Sequence, residues 1–458
     1  MKTLFALWAG LTYLCLVLFS HSNSANDLTL FYLIMGAAYF AVFSLFAYLY
    51  KQHEDLNARF VLIWAILFHV IGVFGVPLFE DDYYRYLWDA YHTIEFGSPY
   101  GIAPSVYFES ESLALDPLGK TIPANFQAIL NGINHPDTPT IYGPTVQYSF
   151  LLAYFIAPGE IWPIQALYSA VDLALIVLLL RMAPAKYVML YAWSPLVFKE
   201  VILTAHPDGF GVFFLMFALF CFCRRAFYWM AICLALSVAA KIFSILFVPF
   251  LLFRRNWKVV TVFITVLLFL YLPLINENGS DLLGLGAMAE SWEFNSAIYG
   301  LLTLFFPAYI SKVILAFFLV AGFAVYFFRF HFYQAQGGGH KKGIWQIAKP
   351  IEVVPRGDIM MGAFLICAPV INAWYLVWML PFAVIYFSAT AWFASIIIMM
   401  AYMVGLNLDG FVLLDAYQHP SWVRPIEFGL IVLVLVVELI VRYRQKIFFL
   451  DKKIPDLS

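Results

Sequence analysis

The sequence predicts an all-α, polytopic integral membrane protein of about 12–14 transmembrane helices. Composition, the length of the apolar runs and the placement of positive charge carry that expectation. Of 458 residues, 64% are hydrophobic and only 12% charged, with a mean hydropathy of +0.85. Soluble domains carry about 25% charged residues, so this composition fits a chain solvated by lipid. A transmembrane helix needs roughly 20 mainly apolar residues, and such windows recur from end to end. No stretch is long and polar enough for a separate soluble domain, so residues 1–458 read as one unit. A net charge of −2 excludes an electrostatic nucleic-acid binder. Cys15, Cys221, Cys223, Cys233 and Cys367 all lie in apolar segments and read as small core residues, not as disulfides or metal ligands.

Positive charge orients the chain, because Lys and Arg collect in cytoplasmic loops. With Lys2 inside, crossings fall near 4–20, 28–50 and 60–79. Residues 1–20 then form the first transmembrane helix, since no small-residue cleavage site follows them. Lys51 and Arg59, Arg181 and Lys186, Arg224 and Arg225, and Arg254, Arg255 and Lys258 mark successive cytoplasmic turns. A loop at 329–357 and the tail bring the inside total to twenty of the 26 basic residues. Both termini are expected on that side. Residues 141–181 hold two apolar runs around "APGEIWP" where the charge pattern wants one crossing. One run is therefore expected to be a half-helix or re-entrant segment, shielded by protein.

The unusual part is the outer loop, 80–140. It opens with Glu80, Asp81 and Asp82 and carries nine acids against Arg85 and Lys120. Asp82, Arg85 and Asp89 recur at helical spacing, which predicts a short amphipathic helix along the membrane surface. Loops this long in a compact assembly are usually functional. Other polar clusters map to the same membrane face. His135 and Tyr142 lie in "INHPDTPTIYGP"; Lys199, Glu200, His206 and Asp208 lie in "KEVILTAHPDGFG". Lys241 sits at the expected outer turn of a hairpin flanked by arginine pairs. Trp292 and Asn295 lie in "ESWEFNSAIYG", and Asn372, Trp374 and Tyr375 in "INAWYLVWMLPF". Each has a bland alternative: aromatic interface anchors, a snorkelling lysine, a helix-capping aspartate. Asp172, inside an apolar run, reads either as a functional intramembrane charge or as a structural hydrogen-bond partner. Convergence of distant stretches on one face favours function. Carboxylates beside a membrane-held lysine suit a reaction on a lipid-linked anion. A carboxylate deprotonates an acceptor hydroxyl, a cation steadies the leaving phosphate, and aromatics stack on sugar rings. No nucleotide-binding fingerprint is present, which argues against a sugar nucleotide.

"DYYRYLWDAYHTIEFGSPYGIAPS", "INHPDTPTIYGPTVQYSF", "KEVILTAHPDGFG", "ESWEFNSAIYG" and "INAWYLVWMLPF" resemble, in order, blocks of bacterial polyprenyl-phosphate-sugar-dependent glycosyltransferases of the GT-C fold, particularly the mannosyltransferase-like members. The resemblance spans roughly 80–382. It implies a GT-C-like bundle with a large first outer loop. It also implies inverting transfer of a hexose, mannose favoured, from a polyprenyl-phosphate donor to a glycan, lipid or protein hydroxyl. The active site would face the periplasm or exterior of a bacterial inner membrane. The "D-x-Y-R-Y" stretch falls on Asp82 to Tyr86, which makes Asp82 the candidate base and Asp81 the reserve. Arg85 matches the family's arginine, and His206 and Asp208 its "H-x-D" turn. The remaining candidate residues (Asp89, His135, Tyr142, Lys199, Glu200, Lys241, Trp292, Asn295, Asn372, Trp374, Tyr375) are expected to bind substrate. No cofactor is expected, and a divalent metal is possible without being indicated. Three departures stand out: residues 1–59 look like an added helix pair, "WDG" is "WDA" at Trp88–Ala90, and "YPP" is "YGP" at Tyr142–Pro144. A carrier or flippase of a lipid-linked or anionic substrate, with Asp172, Lys199 and Lys241 as relay groups, is the alternative of a different class.

Overall fold

Long apolar runs with few helix breakers become the long helices of this chain. The computed structural model describes residues 1–23, 26–108, 122–277, 279–333, 354–408 and 414–444. Among the described residues there is no strand, only two isolated bridges. Most of the 329–357 loop, and Glu109, Glu111, Asp116 and Lys120 of the 80–140 loop, lie outside them. In chain order the first helices are α1 (Lys2–Ser20), α2 (Leu28–Lys51), α3 (Ala58–Val73), α4 (Asp82–Phe96), α5 (Ala124–Asn131), α6 (Pro144–Ile156) and α7 (Trp162–Leu180).

Helices α1, α2, α7 and Ala308–His331 are long and apolar enough to cross a membrane. A bent pair, Ala185–Leu203 and Asp208–Cys223, makes a fifth span if counted as one. Six further apolar helices run 10–17 residues. A 16-residue helix covers about 24 Å, less than the roughly 30 Å hydrocarbon core. Among the described residues four or five spans thus reach the length and apolarity of a crossing, against the expected 12–14. Breakers explain the difference: Pro249 and Pro381 each sit where a 3₁₀ turn hands over to a short α-helix. The exterior is apolar. Leu4, Leu11 and Leu18 of α1 are exposed, as are Phe317, Phe318 and Val325 of Ala308–Phe328. Such a surface is costly in water and fits insertion in a bilayer.

Contacts sort the helix ends into two groups. At one end Lys2 pairs with Glu54 at 2.7 Å, Arg255 lies over Phe227, the Arg356 amide donates to Tyr326 and Arg442 donates to the Phe387 carbonyl. At the other end the acidic loop meets the turns at 139–143, 204–208, 239–241, 288–294, 370–375 and 401–407. Among the described residues, Lys2, Arg255, Arg356 and Arg442 thus stand at the end away from the acidic loop. The N-terminal pair is integral to the bundle. Tyr13 stacks on Phe198 at 4.1 Å, and Tyr32 and Tyr39 donate to the carbonyls of Met399 and Ser395.

Helix α6 resolves the surplus apolar run at 141–181. Its first turn is tied to the Ala239 carbonyl, Tyr148 donates to Leu270, and the Gly159 turn that follows packs on Asn125 and Ile129 of α5. Both ends of α6 thus stay at the acidic end, and α7 alone runs through to Arg181. The bend in the fifth span begins with a π-turn at Phe198–Leu203. The Thr204 and His206 amides close on the Lys199 and Glu200 carbonyls, Ala205 takes φ 58°, and the chain turns by 116°. π-Turns frequently mark functional positions; this one aims Lys199, Glu200, His206 and Asp208 at the acidic end.

Candidate active site

The carboxylates that open the outer loop fold onto its far end. Asn134 Nδ2 donates to Oδ1 of both Asp81 and Asp82, the latter at 2.9 Å, and Tyr142 donates to Asp82 Oδ2 at 3.3 Å. The three carboxylates Glu80, Asp81 and Asp82 have oxygens within 4.8 Å of one another. They are the residues that could hold a hard divalent cation, which wants six or more oxygens; Asn134 and Tyr142 already occupy part of that oxygen set. Burial, reinforced by Asp82, raises the Asp81 carboxyl to about 6. Burial also lifts Glu80 well above the carboxylate range, with Lys199 opposing.

Helix α4 departs from expectation. Its polar face does not lie along a membrane surface: Arg85 and Asp89 are buried. Arg85 donates to the carbonyls of Thr138 and His135, at 3.0 and 3.2 Å, and so pins the 135–138 turn. Asp89 accepts from Thr140 and, at 2.8 Å, from Gln147. The inward turn has a physical reason. A carboxylate and a guanidinium enclosed by loop carbonyls and amides satisfy those groups, which otherwise cost about 1–3 kcal/mol each when left unpaired.

These segments enclose a cavity of about 630 Å³, within the range of ligand sites. Ten expected site residues border it: Asp81, Asp82, Arg85, His135, Tyr142, Lys241, Trp292, Asn372, Trp374 and Tyr375. Lys241 sits at the turn of its hairpin, as expected. Its Nζ lies 2.8 Å from both Asp208 oxygens and 4.6 Å from the Tyr375 ring centre.

Six expected contacts are corrected: Asp89, Lys199, Glu200, His206, Asp208 and Asn295 lie behind the wall rather than on it. Lys199 and Glu200 pair at 3.2 Å and share the Tyr402 hydroxyl. His206 stacks on Trp374 at 3.9 Å, pairs with Tyr86 through Nδ1, and has Nε2 3.7 Å from Glu200. Asp208 accepts from Lys241 and Trp378, and Asn295 donates to buried Glu427. Buried ions need such partners because desolvation is so costly. Sequence reasoning missed Asn134, Tyr402 and Tyr417, which also border the cavity. Asn134 stood inside a quoted block; Tyr402 and Tyr417 come from segments with no periodic signal.

The departure "YGP" has a local cause. A Cβ on Gly143 would lie 2.2 Å from the Ala239 carbonyl oxygen, so only glycine lets the Tyr142 segment approach the turn that carries Lys241. Gly143→Ala is expected to push the two apart. It should cost stability by about 1–3 kcal/mol, the usual range for overpacking. A thermal-unfolding measurement in detergent checks this.

Comparison with protein-family models, with curated proteins and with solved structures returns no match.

Proposed function

We propose that the chain is a polytopic membrane glycosyltransferase with a GT-C-like bundle of about 12–14 crossings. It moves a hexose, mannose favoured, from a polyprenyl-phosphate donor to an acceptor hydroxyl. The observation that supports this most is the shared cavity: the Asp81–Asp82 pair and Lys241 open onto one space at the acid-rich end of an apolar bundle. In this reading Asp82 takes the proton of the acceptor hydroxyl as that oxygen attacks the anomeric carbon. The bond to the lipid phosphate breaks with inversion, and Lys241 steadies the departing phosphate. Lys241 spends two of its three donors on Asp208, which leaves one for the cavity. Arg85 holds the loop carbonyls of His135 and Thr138, and His206 stacks on the Trp374 ring. Asp172, a relay group in the transporter reading, is held by His69 and Tyr191 and does not border the cavity. In this reading both termini lie in the cytoplasm and the cavity opens on the outer face of a bacterial inner membrane, an orientation that the positive-inside pattern supports.

The test is hexose transfer from a defined polyprenyl-phosphate donor by the purified chain in liposomes. A carboxyl raised to about 6 is neutral below that pH and charged above it. With Asp81 neutral, the carboxylate cluster that meets the acceptor hydroxyl carries one negative charge less. Transfer should therefore fall as pH drops through about 6, and Asp81→Asn should remove that limb from the kcat/KM profile. No transfer at any pH between 5 and 8 would end the proposal.

A further inference from the structure

We propose that the acceptor is a saccharide, and that its ring rests on a platform of three mutually tilted rings, Trp292, His135 and Tyr417, while its hydroxyl reaches Asp82. This rests on the glycosyltransferase reading and deepens it.

All three rings border the cavity. His135 is the middle member, with its ring centre 4.3 Å from Trp292 and 5.1 Å from Tyr417. It directly follows Asn134, the residue whose amide joins Asp81 to Asp82. The platform is thus covalently one residue from the group that orients the candidate base. Its placement is enforced. His135 takes φ 45°, unfavourable for a residue with a side chain, and Arg85 clamps the carbonyls of His135 and Thr138. A conformation of that kind persists where the surroundings over-determine it.

The chemistry of the platform is specific. Trp and Tyr rings carry an apolar face and a polar edge. A pyranose has the matching form, an apolar face rimmed by hydroxyls. A serine side chain or an aliphatic alcohol has no such face to lay down. The donor phosphate belongs elsewhere, because Lys241 lies among Asp208, Tyr375 and Phe243. Phosphate and platform therefore occupy different parts of one cavity, with the carboxylates available to both. Tyr417 is 44% exposed, so its removal leaves the core alone.

The experiment has two arms, both on the full chain. In the first, methyl glycosides of glucose, galactose and mannose, a serine peptide and octanol compete as acceptors for hexose from a polyprenyl-phosphate donor. A glycoside should be preferred. Trp292→Ala and Tyr417→Ala should each raise its KM about 3- to 10-fold with little change in kcat or donor KM. Tyr417→Phe should restore the wild-type value. Equal use of peptide or octanol, or a shift confined to donor KM, overturns the proposal. In the second arm, binding of the same glycosides without donor is followed by saturation-transfer NMR. Wild-type binding that is weakened in Tyr417→Ala supports the platform even if transfer is never seen. Absence of glycoside binding to wild type overturns it, whereas absence of transfer alone counts against the glycosyltransferase reading.

Discussion

Asp82→Asn should lower hexose transfer by about 10²–10⁴-fold, the usual contribution of a general base, with fold and donor binding retained. Asparagine keeps the shape of the side chain and an oxygen that still accepts from Asn134 or Tyr142, so the 133–142 turn stays in place. What it loses is the capacity to take a proton. Asp82 is favoured over Asp81 because two donors from different segments, Asn134 and Tyr142, fix its carboxylate. Asp81 shares only Asn134 and starts the helix without a side-chain cap. A base must be held within reach of its proton, and the doubly anchored group is the one held. Asp81→Asn should be milder. Single-turnover transfer by each variant decides between them. A dead Asp81→Asn beside an active Asp82→Asn would exchange the roles, and activity in both would remove the carboxylates from the chemistry.

The residues that sequence reasoning placed on the cavity share a property: they stand in loops, in a 3₁₀ turn or in the first turn of α4, where a polar or aromatic group interrupts an apolar pattern. Asp82, Lys241 and Trp292 are legible for that reason. The helices were legible where apolar runs are long, as in α1, α2 and α7. They were not where proline or a π-turn divides a run, because Phe198–Leu203 reads the same in α and π geometry. Hydropathy likewise cannot separate α6, held at one end of the bundle, from a crossing; the interrupting "APGEIWP" and the charge count pointed to it. The amphipathic spacing of Asp82, Arg85 and Asp89 was real, but its direction was misread. A polar stripe faces water only if nothing polar covers it, and here Thr138, Thr140 and Gln147 do. Lys199, Glu200, His206 and Asp208 were recognised as a cluster. That Lys199 and Glu200 pair while His206 and Asp208 are held from other segments depends on Tyr402, Tyr86, Lys241 and Trp378, whose roles no periodicity announces.

Lys241→Ala should both destabilise the chain and weaken donor binding, and a second substitution separates the two effects. Asp208 is fully buried at the first turn of Asp208–Cys223, and its carboxylate is held by Lys241 and by Trp378 Nε1 at 2.6 Å. Removing one partner of a buried ion pair typically costs about 3–5 kcal/mol, because the other charge is left uncompensated. The helix N-terminus offsets part of that here, since it favours a negative charge. Replacing both partners is far milder than replacing one, so Lys241→Ala combined with Asp208→Asn should recover most of the lost stability. It should not recover the donor. A charge-assisted contact to a bound phosphate is worth about 1.5–3 kcal/mol, so donor affinity should stay down by roughly 10-fold or more. Thermal unfolding and donor binding are read on the wild type, the single variant and the pair. If the double variant binds donor like wild type, Lys241 serves only to neutralise Asp208, and the phosphate must be met by another group on the cavity wall.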